Sequence, residues 1–303
     1  MPVPEWFRWD IRPREAIKWP AWFRAWPTGA RLALHFTILH EWESQPRSWA
    51  PAFRRTFPPD AAQKTDFLTL GYREYAFTSG VWRLMEILDR HRVRATVFTN
   101  GIAAELWPDS VRELAKSGHE IGSHCWDQAV HPVSYKTREE ERQAIRQSIA
   151  AIETATGERP HAYMSPGPRP TVHTLELCAE EGFTWCSDLM NADLPYIVNP
   201  AGKKLVVLPY ARPGCIDVSI FGASDPFRSP SEALTSLKDE FDAVYEESAV
   251  HPMRFNYALH THYSGTPGAA RTFADFIKYA KSRPGVWIAT GMEQATFWLE
   301  QSG

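Results

Sequence analysis

The sequence has few cysteines and no long apolar run. Its four cysteines form no C-x-x-C pair and are too few for a disulfide framework, so we expect reduced thiols. No stretch approaches the roughly 20 consecutive apolar residues that a membrane-spanning helix needs. The first 20 residues lack the basic region followed by an apolar run that marks a secretory signal. These absences predict a cytoplasmic protein without a membrane partner.

An excess of charge of one sign is also missing. The 303 residues include 33 basic and 36 acidic side chains, and no long run of either sign occurs. A nucleic-acid partner is therefore not expected, because nucleic-acid-binding proteins present basic patches. The chain is instead rich in tryptophan and proline, with 13 and 24 residues. Tryptophan fills cores and lines pockets, which favours a globular protein that acts on a small-molecule substrate.

The chain divides into an N-terminal arm and one α/β domain. Residues 1–30 are rich in proline and tryptophan without periodicity, so we interpret them as an arm that covers the body or contacts a neighbouring subunit. We accordingly expect a homo-oligomer. From 31 to 303, strand-like and helix-like segments alternate, which predicts a parallel sheet, closed or open. The predicted strands cover 31–40, 94–99, 119–123, 183–188, 204–210, 254–260 and 286–290; the predicted helices cover 80–91, 102–117, 137–156, 173–181, 231–247, 269–281 and 293–300; a long loop is predicted from 41 to about 77.

Functional side chains of such folds gather at the carboxyl ends of the parallel strands. The residues at those ends here include imidazoles, carboxylates, an amide and aromatic rings. They are His40, Glu41, Asn100, His124, Cys125, Trp126, Asp188, Tyr210, His260 and His262. We expect these side chains to converge on one mouth of the sheet.

Three of these residues are candidates for acid–base chemistry. Glu41 follows the first strand beside an aromatic residue, and burial there would raise the pKa of its carboxyl group toward neutrality, as a general base requires. His124 ends the third predicted strand and is preferred over His131, which precedes a proline. His260 is preferred over His262, because a turn follows almost at once and redirects the second imidazole.

The remaining candidates contact the substrate or stay inert. We interpret Trp126, Arg169, Tyr196 and Tyr210 as substrate contacts. Cys125 adjoins His124, but neighbours in an extended chain point in opposite directions, so a buried, unreactive thiol is expected rather than a nucleophile. The fingerprints of serine hydrolases, P-loop proteins and dinucleotide-binding proteins do not occur.

Taken in order, several segments resemble one family. The resemblance is to the polysaccharide deacetylase (NodB-homology) superfamily, and it is carried among others by RLALHFTILHEW, ELAKSGHEIGSH, YMSPGPRPTVHTLELCAEEG and ALHTHYSGTPGAAR. The chain is most similar to the branch that contains peptidoglycan-deacetylase-like proteins and metal-independent allantoinases. The likeness runs from about Thr28 to the C-terminus. It implies a distorted (β/α) barrel of seven or eight strands and hydrolysis of a C–N bond that is not a peptide bond.

The sequence departs from the metal-dependent members of that family at their zinc ligands. Those members end the first strand with paired aspartates, where this chain reads FTILHE. Their second metal histidine, in H-x-x-x-H, is replaced by Gln128, and an arginine of their third motif by Met164. Their late Leu-His pair is kept as Leu259 and His260. The resemblance therefore implies no metal cofactor, since a catalytic zinc usually keeps three protein ligands.

The leading hypothesis is a metal-independent amidohydrolase of a small cyclic amide, ureide or imide. Glu41 activates a water molecule, while His124 and His260 stabilise the oxyanion or protonate the leaving nitrogen. Asp188 orients one of the imidazoles. The first alternative is a metal-dependent deacetylase of an N-acetyl sugar or small N-acyl compound, with zinc held by Glu41, His124 and His260. The second is a catalytically inactive relative that binds a ligand.

Overall fold

The computed structural model of the chain describes residues 19–44, 60, 62, 66–221 and 228–301. Strands and helices alternate along most of this length. The strands are β1 (Leu32–His40), β2 (Thr96–Thr99), β3 (Glu120–Ser123), β4 (Ala162–Tyr163), β5 (Trp185–Cys186), β6 (Tyr196–Val198), β7 (Leu205–Val207), β8 (Met253–His260) and β9 (Val286–Ile288). The helices are α1 (Phe67–Tyr75), α2 (Val81–His91), α3 (Gly101–Leu106), α4 (Pro108–Lys116), α5 (Arg138–Thr156), α6 (Thr174–Glu180), α7 (Asp217–Ile220), α8 (Pro230–Glu247), α9 (Thr261–Ser264), α10 (Pro267–Lys281) and α11 (Gly291–Gln301).

All the strands belong to one curled sheet. Its order is β6-β7-β5-β4-β3-β2-β1-β8, and β9 pairs with the first residues of β1. Every pairing is parallel except that of β6 with β7. Within the described residues, β7 and β8 are not paired, so the ring of strands is open at this seam. This is the α/β class and the distorted barrel that the sequence predicts.

Strand β1 shows why the barrel has an apolar outside and a polar inside. Successive side chains of a strand point to opposite faces. Phe36 faces outward and packs edge-on against Phe273 of α10, with ring centroids 5.2 Å apart. His35 and Thr37 face inward, where Thr37 Oγ1 donates a hydrogen bond of 3.0 Å to Asn256 Oδ1 on β8. The same alternation directs Glu41, just past the strand, to the inner side.

The predicted loop over 41–77 contains a helix, so this prediction is wrong from residue 67 onward. Asp66 caps α1 by accepting from the backbone N–H groups of Leu68 and Thr69. A π-helical turn over Ala76–Gly80 then continues the helix into α2. Thr78 lies inside this stretch and donates to the Glu74 carbonyl one turn back. Much of the rest of the loop lies outside the described residues.

The other differences concern short elements. The predicted helix over 102–117 is two helices, because Pro108 has no N–H to continue α3 and instead opens α4. Strands β4 and β6 and helices α7 and α9, each of two to four residues, occur where the sequence predicts no element. Such short elements carry too little periodicity to be recognised.

The described end of the N-terminal arm packs on the barrel. Phe23 and Trp26 are buried, and their ring centroids lie 4.9 and 5.9 Å from that of Trp298. The Trp26 indole N–H donates to the Met253 carbonyl at 2.7 Å. Residues 1–18 of the predicted arm lie outside the described residues, so the division at residue 30 and the homo-oligomer stay predictions. No helix in the described ranges is long and apolar enough to cross a membrane.

Two glycines let the π-helical turn touch helix α9. A Cβ atom at Gly80 would collide with the carbonyl oxygen of Thr261, and one at Gly265 would collide with the Cα of Gly80. The backbones therefore meet directly. This close approach holds α1 and α2 against the end of β8.

Candidate active site

Glu41, His124 and His260 meet at the carboxyl end of the barrel. Glu41 Oε1 lies 3.2 Å from His124 Nε2 and 3.7 Å from His260 Nε2. The three side chains are almost fully buried, with exposed fractions of 4%, 1% and 13%. Glu41 and His124 follow β1 and β3, and His260 ends β8. Strand β8 is the neighbour of β1, and the curl of the sheet brings β3, on the far side of β2, toward them. The structure thus brings together three of the four residues predicted as catalytic.

Asp217 holds the imidazole of His260. Its carboxylate accepts from the ring Nδ1–H at 2.7 Å and from the His260 backbone N–H at 2.6 Å. It also accepts from the hydroxyl of Ser264 at 2.7 Å. Asp217 is fully buried at the start of α7, next to an isolated bridge between Ile216 and Ala258 of β8. A carboxylate on Nδ1 fixes the ring so that Nε2 faces Glu41.

The imidazole of His124 is held by a backbone carbonyl. Its Nδ1–H donates to the Met164 carbonyl at 2.9 Å, which turns Nε2 toward Glu41. The backbone of the next residue, Cys125, has a positive φ of 56°. Asn100 supports the turn, because its amide donates to the His124 carbonyl and accepts from the backbone N–H of Trp42. Burial raises the pKa of the Cys125 thiol to about 11, which agrees with the expected unreactive thiol.

Asp188 does not hydrogen-bond to an imidazole in this structure. It accepts from the backbone N–H and the hydroxyl of Ser165, at 2.6 and 2.9 Å. Burial raises its pKa to about 6, against the lowering effect of these hydrogen bonds. The predicted orienting role therefore falls to Asp217 and the Met164 carbonyl. No strand is predicted before Asp217, so the sequence offered no signal for it.

The predicted rise in the pKa of Glu41 is wrong in sign. Burial alone raises this pKa, but the charge of His260, the hydrogen bond and charge of His124 and the charge of Arg73 together lower it to about 2. Glu41 is therefore an anion between two imidazoles at neutral pH. The sequence indicates the burial of Glu41 but not the positive groups that the fold assembles around it.

His260 shows the opposite shift. Burial alone would lower the pKa of its imidazole, but the charges of Asp217 and Glu41 raise it above its ordinary value of 6.5. The protonated ring is thus favoured near neutral pH, between two carboxylates. An imidazolium in contact with a carboxylate forms an acid–base pair.

Arg73 of α1 adds a buried positive charge that the sequence did not indicate. Its guanidinium donates to Glu43 Oε1 at 2.9 Å and to His262 Nε2 at 2.7 Å. Because His262 accepts this hydrogen bond, its ring is neutral, and burial and Arg73 lower its pKa well below 6.5. His262 therefore faces Arg73 rather than Glu41, as expected from the turn after β8.

The four predicted substrate contacts have different partners in the structure. Trp126 packs on Gly101 and against the buried cluster that includes Ile145 and Ile149 of α5. Arg169 is exposed and donates to His131 at 2.7 Å. The hydroxyl of Tyr196 donates to Asn191 at 2.9 Å. Tyr210 is buried and lines a cavity of about 270 Å³ at the seam between β7 and β8, and it is close enough to Asp217 and Glu41 for their charges to raise its pKa.

The three donors at this site can be compared with the ligands of a zinc ion. Glu41, His124 and His260 are chemically suitable ligands, and Nδ1 of each imidazole is hydrogen-bonded as in many metal sites. However, both Nε2 atoms approach the same Glu41 oxygen rather than a common point between three donors. Among the residues that the structure describes, no group of three or more His, Cys, Asp or Glu side chains is arranged to hold a metal ion. The present arrangement does not fit the rearranged zinc site.

Comparison with known proteins gives concordant matches. Residues 63–185 match a family model described as polysaccharide deacetylase. A putative polysaccharide deacetylase of Schizosaccharomyces pombe is 25% identical over 307 residues, which cover 90% of this chain and 92% of that protein. The crystal structure of a probable polysaccharide deacetylase from Pseudomonas aeruginosa is 30% identical, with a TM-score of 0.78 over 91% of this chain and 93% of that chain. The crystal structure of an allantoinase is 29% identical, with a TM-score of 0.81 over 95% and 98%.

Proposed function

The chain belongs to the polysaccharide deacetylase (NodB-homology) superfamily of hydrolases that act on C–N bonds other than peptide bonds, and from this premise we propose that it hydrolyses a small cyclic amide, ureide or imide without a metal ion. The observation that carries the proposal is the contact of Glu41 with two imidazoles, one of them paired with Asp217. A carboxylate and an imidazolium in contact supply both the base and the acid that amide hydrolysis needs. The similarity to a protein named for its action on allantoin, a cyclic ureide, supports the substrate class.

In the proposed reaction, water attacks the carbonyl carbon of the amide and Glu41 takes one of its protons. The imidazolium of His260, and His124 when its ring carries a proton on both nitrogens, stabilise the negative charge on the carbonyl oxygen. The C–N bond then breaks, and the leaving nitrogen takes the proton of His260. Proton transfer from Glu41 back to His260, across 3.7 Å, restores the starting state.

The low pKa of Glu41 is compatible with its role as a base because its cause is transient. The charge of His260 is the largest single effect that lowers this pKa, and His124 lowers it further through a hydrogen bond and its charge. As negative charge develops on the carbonyl oxygen during the attack of water, it offsets the charge of His260, and Glu41 becomes a stronger base. Acid and base are thus coupled, and their protons are best described as belonging to the pair.

The test combines a substrate panel with one substitution. Purified protein is assayed on cyclic ureides, cyclic imides and N-acetyl sugars, and Glu41→Gln is compared with Glu113→Gln, an exposed residue of α4. We expect turnover of a cyclic compound, a kcat lower by about 10²–10⁴ in Glu41→Gln, and no change in the control.

Each other result contradicts a defined part of the proposal. Turnover of N-acetyl sugars alone would mean that the substrate is an N-acetyl compound and not a cyclic amide. An unchanged kcat in Glu41→Gln would remove Glu41 as the base. A protein that is inert on the whole panel would favour the ligand-binding relative.

A further inference from the structure

A second polar site lies at the open seam of the barrel, away from Glu41. The cavity of about 270 Å³ is enclosed by the loop after β5, the loop after β7 and the first half of β8. Its polar lining includes Asn191, Asp193, Arg212, Arg254 and Asn256. Arg254 precedes His260 by six residues on β8, which is about 20 Å along a strand. Arg254 is therefore too far from the imidazoles for one small molecule to contact both, and Tyr210 is the lining residue on the side of Glu41 and Asp217.

Arg254 is a buried cation whose direct partners are all neutral. Its guanidinium donates to Gln294 Oε1 at 2.7 Å, to the Pro209 carbonyl at 2.6 Å and to His35 Nδ1 at 2.9 Å. His35 accepts through Nδ1, and burial followed by the charge of Arg254 lowers its pKa well below 6.5, so this ring is uncharged. A guanidinium has five N–H groups. Two of them have no acceptor among the described residues.

The nearby carboxylates do not contact Arg254. Asp193 pairs with Arg212 at the half-exposed edge of the cavity. The hydrogen bonds of His35 lead through Thr96 to Glu120, whose carboxylate accepts from Thr96 at 2.6 Å. Glu120 is thus separated from Arg254 by two side chains. Because an unpaired buried charge is costly, the charge distribution calls for an anion in the cavity.

Asn256 provides a second unused donor beside Arg254. The two residues are two positions apart on β8 and therefore lie on the same face. Thr37 donates to Asn256 Oδ1 and so fixes the orientation of the amide. The Nδ2 group is buried and has no hydrogen-bond partner in the described part of the chain, and the side chain, 6% exposed, lines the cavity. Buried donors of this kind are usually satisfied, so one without a partner indicates a missing acceptor.

We propose that the seam cavity binds a small monocarboxylate, held by the guanidinium of Arg254 and the amide of Asn256. The planar arrangement of guanidinium N–H groups matches a carboxylate. Arg212 and Asp193 cancel each other, so the lining carries one net positive charge and suits one negative charge better than two. The apolar lining, which includes Met190 and Phe255, accommodates a short carbon body. This site is independent of the proposed chemistry at Glu41.

The experiment measures propionate binding to the full chain by calorimetry at constant ionic strength. Propionamide, which has the same shape without the charge, and inorganic phosphate are the comparison probes. Asn256→Asp keeps the acceptor for Thr37 and places a carboxylate beside Arg254. We expect the wild type to bind propionate saturably and Asn256→Asp to bind it at least tenfold more weakly. In the absence of propionate, we expect Asn256→Asp to have a higher Tm than the wild type. Arg254→Gln is a second variant. If Arg254→Gln does not fold, Asn256→Asp alone tests the proposal.

Two controls separate this site from the catalytic one. Glu41→Gln should bind propionate as the wild type does, whatever its activity. Arg271→Gln removes an exposed arginine and should also bind normally. The proposal is overturned by an absence of saturable propionate binding, by equal binding in Asn256→Asp, or by tighter binding of phosphate or propionamide at the same site.

Discussion

At the scale of single residues, Asp217 determines when His260 is protonated. It forms a hydrogen bond with the ring, and its charge raises the pKa of His260 above 6.5. Because the acid form of His260 is needed, kcat/KM should be high below this raised pKa and fall as the pH rises through it. Glu41, with a pKa of about 2, stays ionised throughout this range.

Asp217→Asn should move this alkaline limb to lower pH. The amide keeps a hydrogen-bond acceptor but loses the charge, so the pKa of His260 falls and less acid is present at neutral pH. We expect kcat/KM at pH 8 to fall by about tenfold or more, with partial recovery near pH 6. The pH dependence of kcat/KM measures this shift. A uniformly lower profile with an unmoved limb would mean that Asp217 has only a structural role.

Substitution of Arg73, which is not one of the three residues with a proposed catalytic role, should also lower the activity. Arg73→Gln removes a charge that lowers the pKa of Glu41 and the ion pair with Glu43, 2.9 Å long. Removal of one partner of a buried pair leaves the other uncompensated. We expect kcat/KM to fall by about 10- to 100-fold with a smaller change in Arg90→Gln, whose ion pair is exposed. Equal values for the two variants would contradict a role for Arg73 at the site.

The sequence identified those site residues that end strands. Glu41, His124 and His260 could be predicted because alternation locates strand ends, and these ends meet in a parallel sheet. Asp217 and Arg73 could not, since one starts a four-residue helix and the other lies in a segment interpreted as loop. The sign of the Glu41 shift depends on these same residues, so it could not be predicted either.

At the scale of elements, the continuous helix from α1 through α2 positions Arg73. Its π-helical turn packs backbone to backbone on α9 through Gly80 and Gly265. Long periodic helices such as α2 and α5 were predicted from their apolar spacing. The whole of α1 was missed because none of its apolar side chains is buried, and those of Phe67 and Leu68 are exposed.

Gly80→Ala should therefore disturb both stability and activity. The added methyl group collides with the Thr261 carbonyl, and forced overpacking costs about 1–3 kcal/mol of unfolding free energy. Gly71→Ala is a matched control in α1, because a Cβ there meets no atom within 4 Å. The control should be neutral or stabilising by up to about 1 kcal/mol, since alanine favours helix more than glycine does. Urea unfolding and kcat/KM of both variants test this, and equal stability would refute the collision.

At the scale of the whole molecule, the α/β class followed from the alternation of segments, and the distorted barrel from the family resemblance. The open seam could not be predicted, because the pairing of strand edges depends on contacts between distant parts of the chain. The antiparallel β6 occupies the end of the sheet beyond β7. A cavity of about 270 Å³ forms at this seam.

The metal content is a property of the whole protein and can be measured directly. Since both imidazoles approach one Glu41 oxygen, we expect less than stoichiometric transition metal by elemental analysis. Turnover of the cyclic substrate should be unchanged within a factor of about 2 after chelation, because no step of the proposed reaction uses a metal ion. One tightly held zinc per chain, with turnover lost on chelation and restored by zinc, would favour the metal-dependent deacetylase.

The contact between Gly80 and Gly265 also has an evolutionary consequence. Two positions far apart in the gene behave as one inherited character, because a side chain at either position separates the same two backbones. A lineage that acquires a larger residue at one position gains nothing by retaining glycine at the other. Among descendants of a common ancestor, we therefore expect the two glycines to persist together or to be lost together. In lineages that have lost both glycines, we expect that an arginine at position 73 is no longer selected for.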